Sequence, residues 1–349
     1  MNRLKSATLF ISLFFLAVVI LSQPQISVAG IQNGLSVCTG TVLPVLFPFF
    51  IINNLWISLG YADRMSRILG PLVQAIYHVP GSAAAAMITG AIGGHPLGAQ
   101  SICKAYKANR LTKEEAEHAS LFCCNAGPAF ILGIVGTTLF HNSSVAGIIW
   151  AIHLGTSMML GILFRPSAKS RERFDKSIAP SKPFLTALMD AISDASAAGW
   201  RVCVLIIVFS VITAHLSYLL PSGVLSSVLI GTFELAQGFQ EIKKLCLTQE
   251  TAFVLSAGLL GWGGFCVNIQ SSAFFFDVGL SASRYWMGKA LHAALSIGVA
   301  CIIAPLLPLQ RLCMANTYSP PISAICLLSS MTLLLILKTS SGKRERLRI

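Results

Sequence analysis

The sequence predicts an all-α polytopic membrane protein, and three observations carry this prediction. Of the 349 residues, 54% are hydrophobic and only 11% are charged, against about 25% in an average soluble protein. The mean hydropathy is +0.73. Several apolar runs approach the ~20 residues that a helix needs to cross a bilayer. A soluble enzyme, a disordered chain and a disulfide scaffold are therefore disfavoured.

The net charge of +12 arises from 25 Lys and Arg residues against 13 Asp and Glu residues. The positive residues stand in short blocks between apolar runs, as the positive-inside rule produces. We therefore expect the lipid bilayer, and no nucleic acid, as a partner. The ten cysteines form no CxxC motif, and no nucleotide-binding, catalytic or metal-binding motif occurs. An enzyme, a metal site and a bound cofactor are accordingly not predicted.

The first part of the chain divides into an N-terminal transmembrane helix, 1–30, and a first repeat, 31–164. The apolar run 7–21 follows Arg3 and Lys5 and resembles a signal peptide. An uncleaved helix fits better, because the sequence downstream is also apolar. The first repeat is predicted to contain a long helix over 34–60, an interfacial helix over 63–79, a broken Gly-rich segment over 82–103, a charged connection over 104–117, and helices over 119–140 and 145–164.

A basic linker over 165–183 forms the midpoint of the chain. It holds six Lys and Arg residues against two acidic residues, which predicts a cytoplasmic position. A second repeat, 184–337, follows a similar plan, and a basic tail, 338–349, ends the chain. The second repeat is predicted to contain a long helix over 184–220, a weaker and more polar segment over 224–247, a broken Gly-rich segment over 251–276, and helices over 286–309 and 322–337.

Two glycine pairs interrupt apolar segments in the two halves. Gly93-Gly94 is followed by Gln100, and Gly263-Gly264 by Gln270, with the same spacing. A break at membrane depth frees backbone groups that lipid cannot satisfy, and helix N-termini at a break favour anionic groups. Broken helices in inverted repeats are typical of secondary transporters. We therefore predict two inverted-topology repeats with broken or re-entrant helices that form one substrate site.

Charged residues inside apolar segments are energetically expensive and indicate functional sites. Glu234 is the strongest example, because apolar sequence flanks it on both sides. It can bind a coupling cation or accept a proton, while an interfacial position beside Lys243 or Lys244 stays open. Arg201, on the second long helix, can pair with Asp194 or meet an anionic substrate. We expect the ionisable groups of a substrate path to lie in the second half.

Five short motifs carry a resemblance to a known family. They are Leu43–Phe50, Gly93–Ala99, Asn125–Ile131, Glu234–Gly238 and Gly261–Val267. In this order, over nearly the whole chain, the set resembles the YlbJ-type (SpoVV-like) sporulation integral membrane proteins of endospore-forming bacteria, which contain the nucleoside-recognition or Gate domain. The resemblance implies a fold like that of the concentrative nucleoside transporters.

The resemblance also implies a function in endospore formation, the export of dipicolinic acid from the mother cell across the outer forespore membrane. Dipicolinate is a planar dianion, which helix N-termini and a neutral amide can hold. Glu234 would repel it unless protonated or cation-bound, so a coupling ion, proton or sodium, is a further expected partner.

Two other functions stay open: a transporter of nucleosides or other neutral solutes, and a non-transporting scaffold for spore cortex assembly. A homo-oligomer also stays open. The predicted substrate-binding residues are Gly93, Gly94, His95, Pro96, Gln100, Asn125, Glu234, Gln237, Gly263, Gly264, Asn268, Gln270 and Ser271.

Overall fold

The computed structural model describes residues 3–167 and 183–314. Over these residues the chain is helical and contains no β-strand, which confirms the all-α class. Most of the predicted linker, the helix over 322–337 and the basic tail lie outside the described residues. Within residues 3–167 and 183–314, four helical stretches are long and apolar enough to cross a membrane: Ser143–Leu163, Phe184–Leu219, Gln249–Phe276 and Ser283–Leu306.

The described residues of the first half contain nine helices. A π-helical turn, Cys38–Val42, joins α2 to α3, so the chain is helical without interruption from Pro24 to Ser58. The predicted helix over 34–60 therefore begins earlier, at Pro24, which needs no N–H group in the first turn. The nine helices are α1 (Arg3–Ser22), α2 (Pro24–Val37), α3 (Leu43–Ser58), α4 (Tyr61–Tyr77), α5 (Ala83–Ile92), α6 (Leu97–Lys107), α7 (Lys113–Ala119), α8 (Pro128–Phe130, continued by a π-helix at Ile131–Phe140) and α9 (Ser143–Leu163).

The second half begins with the longest described helix. This helix, α10, has 36 residues and is the counterpart in length of the continuous α2–α3 stretch. The helices are α10 (Phe184–Leu219), α11 (Val224–Phe233), α12 (Leu235–Lys244), α13 (Gln249–Trp262), α14 (Phe265–Phe276), α15 (Ser283–Ile303, continued by a 3-10 turn at Ala304–Leu306) and α16 (Leu309–Met314).

The two long helices pack against each other along their length. Gly34 of α2 lies against the backbone of α10 at Ile207, where an added Cβ would approach within 2.8 Å of a Cα atom. Val37 on α2 and Val202 on α10 belong to the apolar cluster between the two helices. Small residues at such a crossing allow two helices to approach closely without a hydrophobic driving force from water.

Two segments that the sequence predicts as continuous are broken. The segment 119–140 leaves the helix after Ala119 and resumes only at Pro128, which lacks an N–H group and starts the next helix. The segment 224–247 is interrupted at Glu234, whose backbone is extended, with φ −136° and ψ 117°. In the part of the chain that the structure describes, each half therefore has two breaks and not one.

The order of the helices also bears on the predicted correspondence between the two glycine pairs. The break at Gly93–Pro96 is the first in its half, and Gly263-Gly264 is the second break in the other half. By helix order, the first pair corresponds to the break at Glu234, and the second pair to residues 120–127. The inverted relation of the two halves stays a prediction.

Candidate functional site

All four breaks meet at a central cavity of about 60 Å³, enough for a few water molecules. The two long helices close it with Val42, Leu46, Val202 and Ile206. Residues from the breaks and the helix starts beside them form most of the remaining wall: Gly93, Gly94, His95, Ala126, Gly127, Glu234, Leu235, Ala236, Gly263, Cys266, Val267 and Gln270.

Six of the thirteen predicted site residues line this cavity: Gly93, Gly94, His95, Glu234, Gly263 and Gln270. Two of them need the freedom of glycine, because Gly94 has φ +75° and Gly263 has φ +86°. Helices α6 and α14 begin within a few residues of these positions. The first turn of α14 has N–H groups without an intrahelical partner near the cavity, whereas in α6 the N–H groups of Leu97 and Gly98 donate to the carbonyl oxygen of Gly94.

Close backbone contacts fix the two hairpins that carry the first break of each half. In the α5–α6 hairpin, a Cβ on Gly90 or Gly98 would overlap the carbonyl oxygen of Cys123. In the α11–α12 hairpin, a Cβ on Gly238 would overlap the Cα atom of Gly231. The helices of each hairpin can approach this closely only because side chains are missing at these points.

Glu234 is buried, with 3% of its surface exposed, and lines the cavity. Its Oε2 accepts a hydrogen bond of 2.6 Å from the N–H of Gln237 and so caps α12. The alternative of an interfacial pairing is not observed, because Lys244 instead pairs with Glu241 at 2.6 Å. The Gln237 side chain faces α2, where its Oε1 accepts from Asn33.

A buried lysine lies behind His95. Lys289 of α15 is only 2% exposed, and its Nζ donates to the carbonyl oxygen of Cys124 at 2.5 Å. The same Nζ is 3.4 Å from His95 Nε2, and Ser271 Oγ is 3.3 Å from His95 Nδ1. Both side chains that approach the His95 ring nitrogens therefore come from the second half of the chain.

The sequence analysis did not single out Lys289. A signal was present, because Lys289 lies inside the apolar helix α15, and a charge at such a position indicates function. The expectation that ionisable groups lie in the second half covers it only in general terms.

Some predicted site residues do not line the cavity but form hydrogen bonds with backbone groups at the breaks. Asn268 donates to the carbonyl oxygen of Trp262 at 2.9 Å and accepts from the hydroxyl of Tyr285 at 2.7 Å. Asn125 donates to the carbonyl oxygen of Phe122 at 2.8 Å. These amides satisfy backbone groups that the breaks leave free. Pro96, Gln100, Gly264 and Ser271 are also absent from the cavity wall.

Two histidines that appear scattered in the sequence meet next to the breaks. The rings of His153 and His292 are 4.5 Å apart, and both side chains are buried. The N–H of Ala126 donates to His153 Nε2 at 2.9 Å, which satisfies a backbone group of the second break. Among residues 3–167 and 183–314, no three His, Cys, Asp or Glu side chains form a group that could hold a metal ion.

The predicted pairing of Arg201 with Asp194 is not observed. The two residues are seven positions apart on α10, which places them ~10 Å apart along the helix axis. Within the described part of the chain Arg201 forms no ion pair, and it lines a separate groove described below.

The fold and the cavity define a multi-pass membrane protein whose broken helices surround a small internal space. Comparison with known proteins shows which family model matches this chain and which protein it is similar to. The family model of the Gate domain, described as nucleoside recognition, matches residues 39–140. The chain is similar to the sporulation integral membrane protein YlbJ of Bacillus subtilis (strain 168), with 26% identity over 332 aligned residues that cover 84% of this chain and 81% of YlbJ. No solved structure matches the chain. The resemblance predicted from the sequence is confirmed.

Proposed function

We propose that the protein is a transporter of a small organic anion, and that dipicolinic acid, exported from the mother cell across the outer forespore membrane, is its substrate. The observation that carries the proposal is the meeting of four helix breaks and both long helices at one cavity. Broken helices at membrane depth persist where protein, water or a ligand satisfies the freed backbone groups. A scaffold has no need of such a cavity.

The charges near the cavity favour an anion over a neutral solute. Lys289 is buried 3.4 Å from His95, and His95 lies in the cavity wall. A protonated lysine at this depth attracts a carboxylate strongly, because little water screens it. The N-termini of α6 and α14 add partial positive charge from the two breaks.

Glu234 is the counterpart of these positive groups and the proposed site of the coupling ion. Its carboxylate lies in the same cavity wall, so a bare dianion and a bare Glu234 would repel each other. A proton or a sodium ion on Glu234 removes this repulsion. Transport of the anion is therefore expected to require one of the two ions.

The cavity of about 60 Å³ is too small for an aromatic dicarboxylate. On this proposal the structure corresponds to a closed state, and transport requires the hairpins to separate from the long helices. The similarity to a protein named for sporulation supports a function in spore formation.

Flux of dipicolinate into liposomes that contain the purified protein tests the proposal, with and without a proton or sodium gradient. Val267→Phe fills the cavity wall and should abolish the flux. Ile269→Phe on the same helix is the matched control, because Ile269 is 44% exposed and lies outside the cavity wall. Absence of protein-dependent flux for the wild type, or full flux in Val267→Phe, would contradict the proposal.

A second candidate is a nucleoside transporter, which the nucleoside-recognition description of the matching family model favours. The same liposomes with labelled nucleosides separate the two candidates. Saturable nucleoside uptake without dipicolinate flux would replace the anion with a neutral substrate.

A further inference from the structure

A second cavity, of about 280 Å³, lies between α10 and α14. We call it the side groove; Trp200 and Arg201 line it from α10, and Gln270, Phe274 and Asp277 line it from α14. Gln270 also belongs to the wall of the central cavity. The two spaces therefore share Gln270 in their walls.

Arg201 occupies an unusual position for a charged residue. It lies 17 residues after the first residue of α10 and 18 before the last, near the middle of a helix that is apolar enough to cross a membrane. A guanidinium is expensive to place against hydrocarbon, so such residues face a polar path or a partner. Within residues 3–167 and 183–314 no acidic side chain forms an ion pair with it. Its exposed side chain lines the side groove.

We propose that the side groove is an entry site for the transported anion, where Arg201 binds a carboxylate before the anion passes Gln270 into the central cavity. This inference rests on the proposed function. Guanidinium groups bind carboxylates through two parallel hydrogen bonds, which a lysine cannot reproduce. Trp200 and Phe274 provide aromatic surface for the ring of a planar aromatic acid.

Gln270 and Asp277 explain why the anion moves on from this site. Gln270 is buried, with 7% of its surface exposed, and its amide offers donors and an acceptor without a fixed charge. Asp277 carries a carboxylate in the same groove without an ion pair to Arg201, and its charge repels the anion. A transport path needs sites that are weak enough to release the solute, and this repulsion keeps the entry site weak.

Three variants of the full-length protein test the entry site in the liposome assay. Arg201→Gln should raise the KM for dipicolinate about tenfold to a hundredfold, as loss of a charge-assisted contact predicts, with little change in the maximal rate. Arg201→Lys should retain part of the affinity. Asp277→Asn should lower the KM, which a purely structural role of the groove does not produce. Lys243→Gln, exposed on α12 and away from both cavities, is the control.

A second measurement separates this inference from the proposed function. Titration calorimetry of dipicolinate with the detergent-solubilised protein reports binding without transport. Binding that Arg201→Gln weakens, in the absence of any flux, would support anion binding by Arg201 in the side groove and contradict the transporter. Wild-type flux with an unchanged KM in Arg201→Gln would overturn the entry site alone, and absence of both binding and flux would overturn both.

A lipid phosphate is the other anion that could reach Arg201. The flux assay is therefore repeated in vesicles of phosphatidylcholine alone and with added phosphatidylglycerol. An effect of Arg201→Gln that is the same in both supports the entry site. An effect confined to vesicles with phosphatidylglycerol would assign Arg201 to lipid and overturn the proposal.

Discussion

Replacement of Lys289 by methionine removes the buried positive charge while nearly keeping the length of the side chain. Lys289 Nζ is 3.4 Å from His95 Nε2 and, as an ammonium, can only donate to it, so His95 can donate to a substrate only from Nδ1. A carboxylate that accepts from Nδ1 would lie roughly 8 Å from Lys289 Nζ, across the imidazole ring and one hydrogen bond. At an effective dielectric constant of ~20, this separation gives an attraction of ~2 kcal/mol. We therefore expect Lys289→Met to lower the transport efficiency for dipicolinate by roughly thirtyfold.

The assay is liposome flux at several dipicolinate concentrations, with a neutral nucleoside as the comparison solute. Lys289→Arg keeps the charge and should retain more of the flux than Lys289→Met. Lys289→Met also leaves the carbonyl oxygen of Cys124 without its hydrogen-bond donor, which lowers the free energy of unfolding by about 1–3 kcal/mol. Thermal unfolding in detergent therefore accompanies the flux measurements, with the exposed Lys243→Met as the matched control.

Two results would refute this reasoning. Dipicolinate flux in Lys289→Met with an unchanged KM and maximal rate would show that the buried charge does not attract the substrate. An equal loss of flux for dipicolinate and for a nucleoside would assign Lys289 to the structure of the first break alone.

Three further predictions concern the coupling ion, the pH dependence of stability and the packing of the first hairpin. Glu234→Gln should make dipicolinate flux insensitive to proton and sodium gradients; a gradient effect of wild-type size would contradict its assignment as the coupling group. Burial and the Arg284 cation lower the pKa of His118, outside the spanning helices, from 6.5 to about 4. The unfolded chain therefore binds the proton first, and stability should fall by ~1.4 kcal/mol per pH unit from pH 6.5 down to 4, a slope that thermal unfolding of His118→Phe should lack. Gly98→Ala places a methyl group on a backbone carbonyl and should destabilise the protein by about 1–3 kcal/mol, whereas Gly147→Ala, in open space on α9, should be neutral or stabilising.

Much of the helical plan could be predicted from hydropathy and composition. The predicted helices over 145–164 and 184–220 agree within two residues with α9 and α10. The break at Gly93–Pro96 was also predictable, because two glycines and a proline weaken a helix wherever the chain places them. These signals are local, so a reading along the chain can detect them.

The breaks at residues 120–127 and at Glu234 were harder to predict. Both lie in segments whose hydropathy alone permits a helix. The groups that compensate for these breaks are distant in sequence. His153 accepts a hydrogen bond from the N–H of Ala126, and the extended Glu234 contributes to a cavity wall built from both halves. When the hydrogen-bond partner of a freed backbone group lies on another helix, the sequence around the break carries only a weak signal.

The sequence by itself determined that this protein is an all-helical, multi-pass membrane protein with interrupted helices, because apolar content, charge spacing and glycine pairs act locally. Only the tertiary structure decided which polar groups meet. His95 and Lys289 are 194 positions apart, and Arg201 and Gln270 line one groove between two helices. Such meetings depend on how helices pack, and the closest packing occurs where glycines let one backbone touch another. No property of a single segment encodes that arrangement.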